Sequence, residues 1–372
     1  MSDTTASTTL RPPRLAVGPV AWLRTRLFSS WWSTVVTLVL LYVVIRLGIT
    51  LLDWGVLRAV WSVPMKGNAP DPSACRVADA GACWAVIGEK YRFILFGRYP
   101  FYEQWRPAIC VVLFIALYIV SALRYFWNKW LAWIWTGTLI VIFVLMWGGI
   151  LGMTYVPQDE WGGLPITLIL TTFGGTLAFP LGIVVALGRR ATSMPAVRAV
   201  CIVYVELVRG VPLVALLFMA SVMFPLFMPE GLNPDKLLRA QVALILFAAA
   251  YLAEVIRGGL QAVPKGQYEA ADALGLSYWQ KMRLIILPQA LRIVIPPLVN
   301  LFNSLFKDTS LVLIIGIFDL LSAGKIAFAD PTWQGFGYEV YIVLAAIYFV
   351  FCFAMSKYSA GLEQDFSRAK RR

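Results

Sequence analysis

The chain has 372 residues, 60% of them hydrophobic and 14% charged, with a formal net charge of +12 and a mean hydropathy of +0.74. A soluble domain carries about 25% charged residues, a disordered chain is poorer in apolar residues, and a disulfide scaffold is shorter and richer in Cys than these five. What remains is an all-α polytopic membrane protein, in which surplus Lys and Arg gathers on the cytoplasmic side of the bilayer and does not signal nucleic acid.

Residues 1–32 read as a cytoplasmic N-terminal tail ending in an interfacial anchor, Trp31 and Trp32. The first apolar run, 33–52, begins too late for a cleaved signal peptide and has no small-residue cleavage site after it, so it is expected to remain as a span. Segment 53–106 is expected outside. It holds Cys75 and Cys83, eight apart; a disulfide-closed loop and two free thiols both fit, because spacing does not supply the bridging geometry. Within it, 86–97 is moderately apolar but carries Glu89, Lys90 and Arg92, which favours an interfacial helix over a further span. Seven more spans are expected at 107–123, 130–150, 162–187, 201–225, 238–257, 293–318 and 337–356, making eight. The chain then divides into an N-terminal extension (33–161), a core (162–360) and a basic tail (361–372). With the N-terminus inside, nineteen Lys and Arg fall on the inner side and ten on the outer, seven of those ten within 53–106. This favours both termini in the cytoplasm.

The sequence has no His, which removes His-based metal ligation and acid–base catalysis. No CxxC occurs, and Ala323-Gly324-Lys325-Ile326 lacks the rest of a P-loop. The chain is therefore not expected to bind ATP, a metal or another cofactor itself, nor to be an enzyme.

The inner loop 257–292 carries the most information. Strong helix formers predict a helix over 266–274, ended by Gly275 in a left-handed cap. Ser277 can cap a second helix, about 278–287, which Pro288 is expected to break. Tyr278, Trp279, Met282 and Ile286 place an apolar stripe on it. A helical hairpin of this kind suits docking into a groove on a partner.

Glu269-Ala270-Ala271, Gly275, Ile285, Leu287 and Pro288 complete the pattern EAA-x3-G-x9-I-x-LP over 269–288. That pattern resembles the signature loop of binding-protein-dependent ABC importer permeases. Glu206-Leu-Val-Arg209-Gly210-Val-Pro212, Ala253-Glu254-Val-Ile-Arg257-Gly258-Gly259 and Phe306-Lys307-Asp308-Thr309-Ser310-Leu311 are similar to the polar-amino-acid branch. The extra N-terminal spans look like the longer permease of a general L-amino-acid importer, which works as a heterodimer. The resemblance implies a bacterial inner-membrane protein with an amino-acid permease core and a coupling loop at 258–292. It also implies two ATPase subunits that carry ATP and magnesium, a second homologous permease, and a periplasmic amino-acid-binding protein.

Charges inside spans are costly and normally face a protein interior or a wet cavity. Asn300, Asn303, Lys307 and Ser310 fall on one helical stripe, with Ser304 and Asp308 in a neighbouring row; Thr309, from the Phe306–Leu311 motif, is taken as a candidate with them. With Glu206 and Arg209 they offer both signs to an amino acid, and so are candidates for the translocation path. Pairing among themselves is the competing reading, above all for Glu206 with Arg209. Buried charges and broken helices also occur in ion-coupled secondary transporters that act without an ATPase, which stands as the alternative function.

Overall fold

The computed structural model describes residues 18–67, 69–229 and 234–371. The expected tail over 1–17 lies outside the described residues, as do the side chains from 365 onward. The chain divides into two compact units, Met1–Ala85 and Val86–Arg372.

In the first unit, α1 (Pro19–Arg26) precedes α2 (Trp31–Leu52), which Ser30 caps by accepting from the Ser33 amide at 3.2 Å. The apolar run continues to Leu57, and no residue of α2 is buried. Trp31 and Trp32 stack at 4.0 Å at its start. Beyond it lies a small closed lobe. Strands β1 (Met65–Lys66) and β2 (Ala69–Pro70) pair antiparallel, the Trp84 indole N–H donates to Gly55 O at 2.7 Å, and Cys75 is bridged to Cys83. The pairing that sequence spacing leaves open is therefore a disulfide.

Helix α3 (Ala85–Phe96) begins at the boundary residue, and from Val86 on it belongs to the second unit. At 12 residues it is too short to cross, and Lys90 on it reaches Asp330 at 2.6 Å. Next come α4 (Trp105–Ala122) and α5 (Lys129–Trp147). Arg106, fully buried, joins them by donating Nε to Leu145 O at 2.7 Å and Nη1 to Thr154 O at 2.9 Å.

The centre of this unit is the pair α6 (Gly163–Gly188) and α9 (Lys236–Ala262). Small residues set how closely they approach: a methyl added at Gly182 would lie 2.7 Å from Leu252 Cβ, against a stretch where Ala248, Ala249, Ala250 and Ala253 are buried. Around the pair stand α7 (Pro195–Gly210), α8 (Leu213–Phe218), α13 (Ile295–Asp308), α14 (Leu320–Ala329) and α15 (Gly337–Arg371).

Among the described residues, seven helices are long and apolar enough to cross a membrane, or eight if one bent pair counts as a span. The bent pair is the span expected at 201–225. Pro195–Gly210 and Leu213–Phe227 meet at 105°. Pro212 supplies no N–H and forces Val211 into extended backbone (φ −106°, ψ 134°), so the helix cannot run through. The outer loop expected at 319–336 also holds structure. Asp319 caps α14 by accepting from the amides of Leu321 (3.1 Å) and Ser322 (3.0 Å), and burial holds its carboxyl above the usual range.

Candidate functional site

The loop after α9 folds as a hairpin. Its first helix, α10 (Lys265–Ala273), ends in a double hydrogen bond: the Leu276 amide donates to Ala271 O at 3.3 Å and the Gly275 amide to Asp272 O at 3.0 Å. This closure requires Gly275 in the left-handed region, and its φ is +69°. The second helix starts with a reciprocal cap. The Ser277 amide donates to Gln280 Oε1 at 2.9 Å, and the Gln280 amide to Ser277 Oγ at 3.5 Å. Lys281 reaches Asp272 at 2.5 Å and clips the two arms together.

Pro288 does not break the second arm as expected. After α11 (Tyr278–Lys281), the turn widens to a π-type stretch over Met282–Ile286, and α12 (Leu287–Ile293) follows directly with Pro288 in its first turn. Proline lacks a donor and its ring crowds the carbonyl one turn back; a widened turn relieves both problems. The expected apolar stripe is split. Met282 and Ile286 are buried and seat the hairpin, while Tyr278 and Trp279 are exposed. Of the signature residues, Glu269, Ala270, Gly275 and Pro288 are exposed, Ala271 is buried, and Ile285 and Leu287 are half-buried.

Glu206 and Arg209 do not pair with each other. Glu206 accepts from Arg189 at 2.9 Å. Arg189 also holds Glu254 at 2.7 Å, Arg257 holds Glu254 at 2.5 Å, and Arg209 lies 3.8 Å from the same carboxylate. One glutamate thus faces three guanidiniums. Arg209 stands in the last turn of α7, before the bend, and lies over the Tyr251 ring at 5.3 Å.

Tyr251 is a wall of a cavity of about 330 Å³, lined also by Phe247, Asn300, Ser304 and Asp308. The residues of the expected stripe part company here. Asn300, Ser304 and Asp308 face the cavity. Asn303 is buried on the other side and donates to Ser356 Oγ at 3.1 Å. Thr309 is buried and donates to Phe306 O at 2.8 Å, Ser310 is half-buried, and Lys307 is exposed. Two members of this site escape sequence reasoning. Arg189 reads as a loop cation, and Tyr251 as part of an apolar span. The available signal was the spacing Phe247, Tyr251, Glu254, which puts all three on one face of α9.

Residues 178–367 match the family described as the binding-protein-dependent transport system inner membrane component. A relative from Escherichia coli (strain K12), the inner membrane amino-acid ABC transporter permease protein YhdY, is 45% identical over 94% of this chain and 94% of its own length.

The chain belongs to that family.

The permease is also 38% identical, over the full length of both, to the glutamate/glutamine/aspartate/asparagine transport system permease protein BztC of Rhodobacter capsulatus. The probable glutamine ABC transporter permease protein GlnP of Bacillus subtilis is shorter: 34% identical, it matches 55% of this permease and 91% of itself. A solved amino acid ABC transporter with histidines is 35% identical, covering 55% of the permease and 92% of that chain at a TM-score of 0.49.

Proposed function

We propose that this permease is a transmembrane subunit of an ATP-driven importer moving L-amino acids from periplasm to cytoplasm. Both termini and the α10–α12 hairpin face the cytoplasm, as the Lys and Arg distribution favours. ATP and magnesium belong to two ATPase subunits, substrate arrives on a periplasmic binding protein, and a second homologous permease completes the path. The cargo class follows the names of YhdY and BztC.

The observation that carries this reading is the hairpin. Its arms are joined by two helix ends and an ion pair, yet it leaves Glu269, Ala270, Leu274, Gly275 and Trp279 exposed, which we read as a docking face. Closure of the ATPases on that face would move the hairpin as a body. Tyr268 on α10 accepts from Arg190 at 2.9 Å. The adjacent Arg189 holds Glu254, and Glu254 neighbours Arg209 over Tyr251. Motion at the hairpin therefore has a route to the Tyr251 wall of the Asn300–Ser304–Asp308 cavity; Asp308 lines that cavity and Arg209 stands against Tyr251, which gives candidate partners for both signs of an amino acid.

The test is reconstituted uptake with co-purified partners, comparing wild type with Gly275→Asp. Left-handed backbone costs a residue with a side chain about 1–2 kcal/mol, and the new charge lies on the docking face. Uptake is expected to fall about tenfold or more at unchanged membrane level, since each 1.4 kcal/mol is a factor of ten. Normal uptake by the variant would sink the coupling assignment. Uptake by the chain alone, without ATP, would establish the secondary transporter instead.

A further inference from the structure

A second polar cavity lies beside the α6–α7 turn, separate from the one walled by Tyr251. It measures about 520 Å³, and its lining includes Arg189, Arg190, Thr192, Arg198 and Arg257, with Ile202 as an apolar wall. No carboxylate is among its lining residues. Arg189 and Arg257 are paired with Glu206 and Glu254, the latter shared with Arg209. Arg190 and Arg198 are not. Arg190 donates to neutral oxygens, Leu260 O at 3.1 Å and Tyr268 Oη at 2.9 Å. Arg198 takes part in none of the ion pairs among the described residues.

The position of this surplus charge matters. Arg189 directly follows the span Gly163–Gly188, Arg198 stands in the first turn of Pro195–Gly210, and Arg257 lies near the end of Lys236–Ala262. Three spans leave the membrane here, so the cavity sits at headgroup depth. On a neighbouring face of α7, Val200 and Val203 are 70% and 60% exposed and offer an apolar strip near the cavity. Cations without counter-charge at headgroup depth, near an apolar strip, match a phosphate that carries acyl chains. Guanidinium forks suit phosphate oxygens, and basic pockets between spans at the cytoplasmic side bind anionic headgroups.

We propose that this cavity binds the phosphate of an anionic lipid headgroup, held by Arg190 and Arg198 with Thr192 as a hydroxyl donor. Because Arg190 also holds Tyr268, the bound lipid braces the hairpin at its root. The inference rests on the membrane placement of the three spans and is independent of the cargo and of ATP coupling.

The test uses the transporter purified with its partner subunits and placed in phosphatidylcholine nanodiscs with or without phosphatidylglycerol. Retained phosphatidylglycerol is counted by native mass spectrometry for wild type, Arg198→Gln and Arg283→Gln. The Arg198 side chain is exposed and outside the ion pairs, so its replacement leaves the fold intact; Arg283 is an exposed arginine outside the cavity. Wild type and Arg283→Gln are expected to retain the lipid. Arg198→Gln is expected to lose about fivefold in retention, since one basic residue near an anionic lipid is worth about 1 kcal/mol. Equal retention by all three, or equal loss in both variants, would overturn the proposal. A soluble arm adds inorganic phosphate to the lipid-free-of-charge discs. Arg198-dependent stabilisation by phosphate, with no phosphatidylglycerol retained, would show a phosphate site whose occupant is not lipid, and would overturn it as stated.

Discussion

Helices α2 and α6 are both predominantly apolar and both long enough to cross a membrane, but the protein uses them in opposite ways. None of α2 is buried, whereas fifteen residues of the 26-residue α6 are. The difference is not hydrophobicity. α2 is dominated by Val, Leu and Ile, and a side chain added at Gly48 would meet nothing within 4 Å. α6 carries Gly174, Gly175 and Gly182 where α9 and α13 approach. In a bilayer, apolarity gives a helix no preference for protein over lipid, so association depends on small residues that permit close packing and on polar groups that bond across helices.

The largest effect that separates the two helices should come from bulk at their glycines. Gly182→Leu drives carbon into Leu252 Cβ, a contact already 2.7 Å from a built methyl, and overpacking of this kind costs about 1–3 kcal/mol or more. Loss of folded protein in detergent is the expected outcome, while Gly48→Leu keeps wild-type levels. Equal tolerance at both sites would erase the distinction. Next in size is the polar counterpart. Glu254→Gln leaves Arg189, Arg209 and Arg257 facing an uncharged amide. Hydrogen bonds to charged groups are worth about 1.5–3 kcal/mol, so uptake should drop about tenfold with assembly retained, and Arg46→Gln on α2 should change it little.

A smaller effect sharpens the contrast within the first unit. Cys75→Ser opens a loop with a sequence separation of 8, worth about 2–3 kcal/mol of local stability. Proteolysis of the 61–84 lobe should accelerate while uptake changes less than about twofold, since a locally opened lobe need not unfold the rest. The smallest effect is pH-dependent. The hydrogen bond from Lys90, reinforced by the Thr332 amide, holds the Asp330 carboxyl below its ordinary range. A lowered folded pKa stabilises above the unfolded value of about 3.9 and is lost as pH falls through the folded value. The melting difference between wild type and Asp330→Asn should therefore be present at neutral pH and vanish in strong acid. Its size should stay within about 1 kcal/mol, because both side chains are partly exposed.

The same contrast explains what could be read in advance. The hairpin was legible because its determinants are local: Gly275 for a left-handed cap and Ser277 for the start of the second helix, although the reciprocal bond of Gln280 was not read. The eight apolar runs were legible from length. The break at Pro212 was signalled by composition, but its 105° size was not, because angle is set by packing on either side. Pro288 misled because a widened turn accommodates it, and nothing in its neighbours announces that turn. The stripe of Asn300, Asn303 and Lys307 was correctly polar but wrongly unified: α15 claims Asn303 and the cavity takes Asn300, a choice made 53 residues away at Ser356. Likewise Arg209 has a carboxylate three residues before it and meets one 45 residues ahead.

The locked hairpin has a thermodynamic consequence. A loop that folds only on contact surrenders conformational entropy at that moment, and the loss is subtracted from what its partner delivers. Here the two helix ends and the Lys281–Asp272 clip impose that order before any partner arrives. Under the proposed coupling role, the free energy of docking would then be available as displacement of a stiff lever rather than being absorbed in making one.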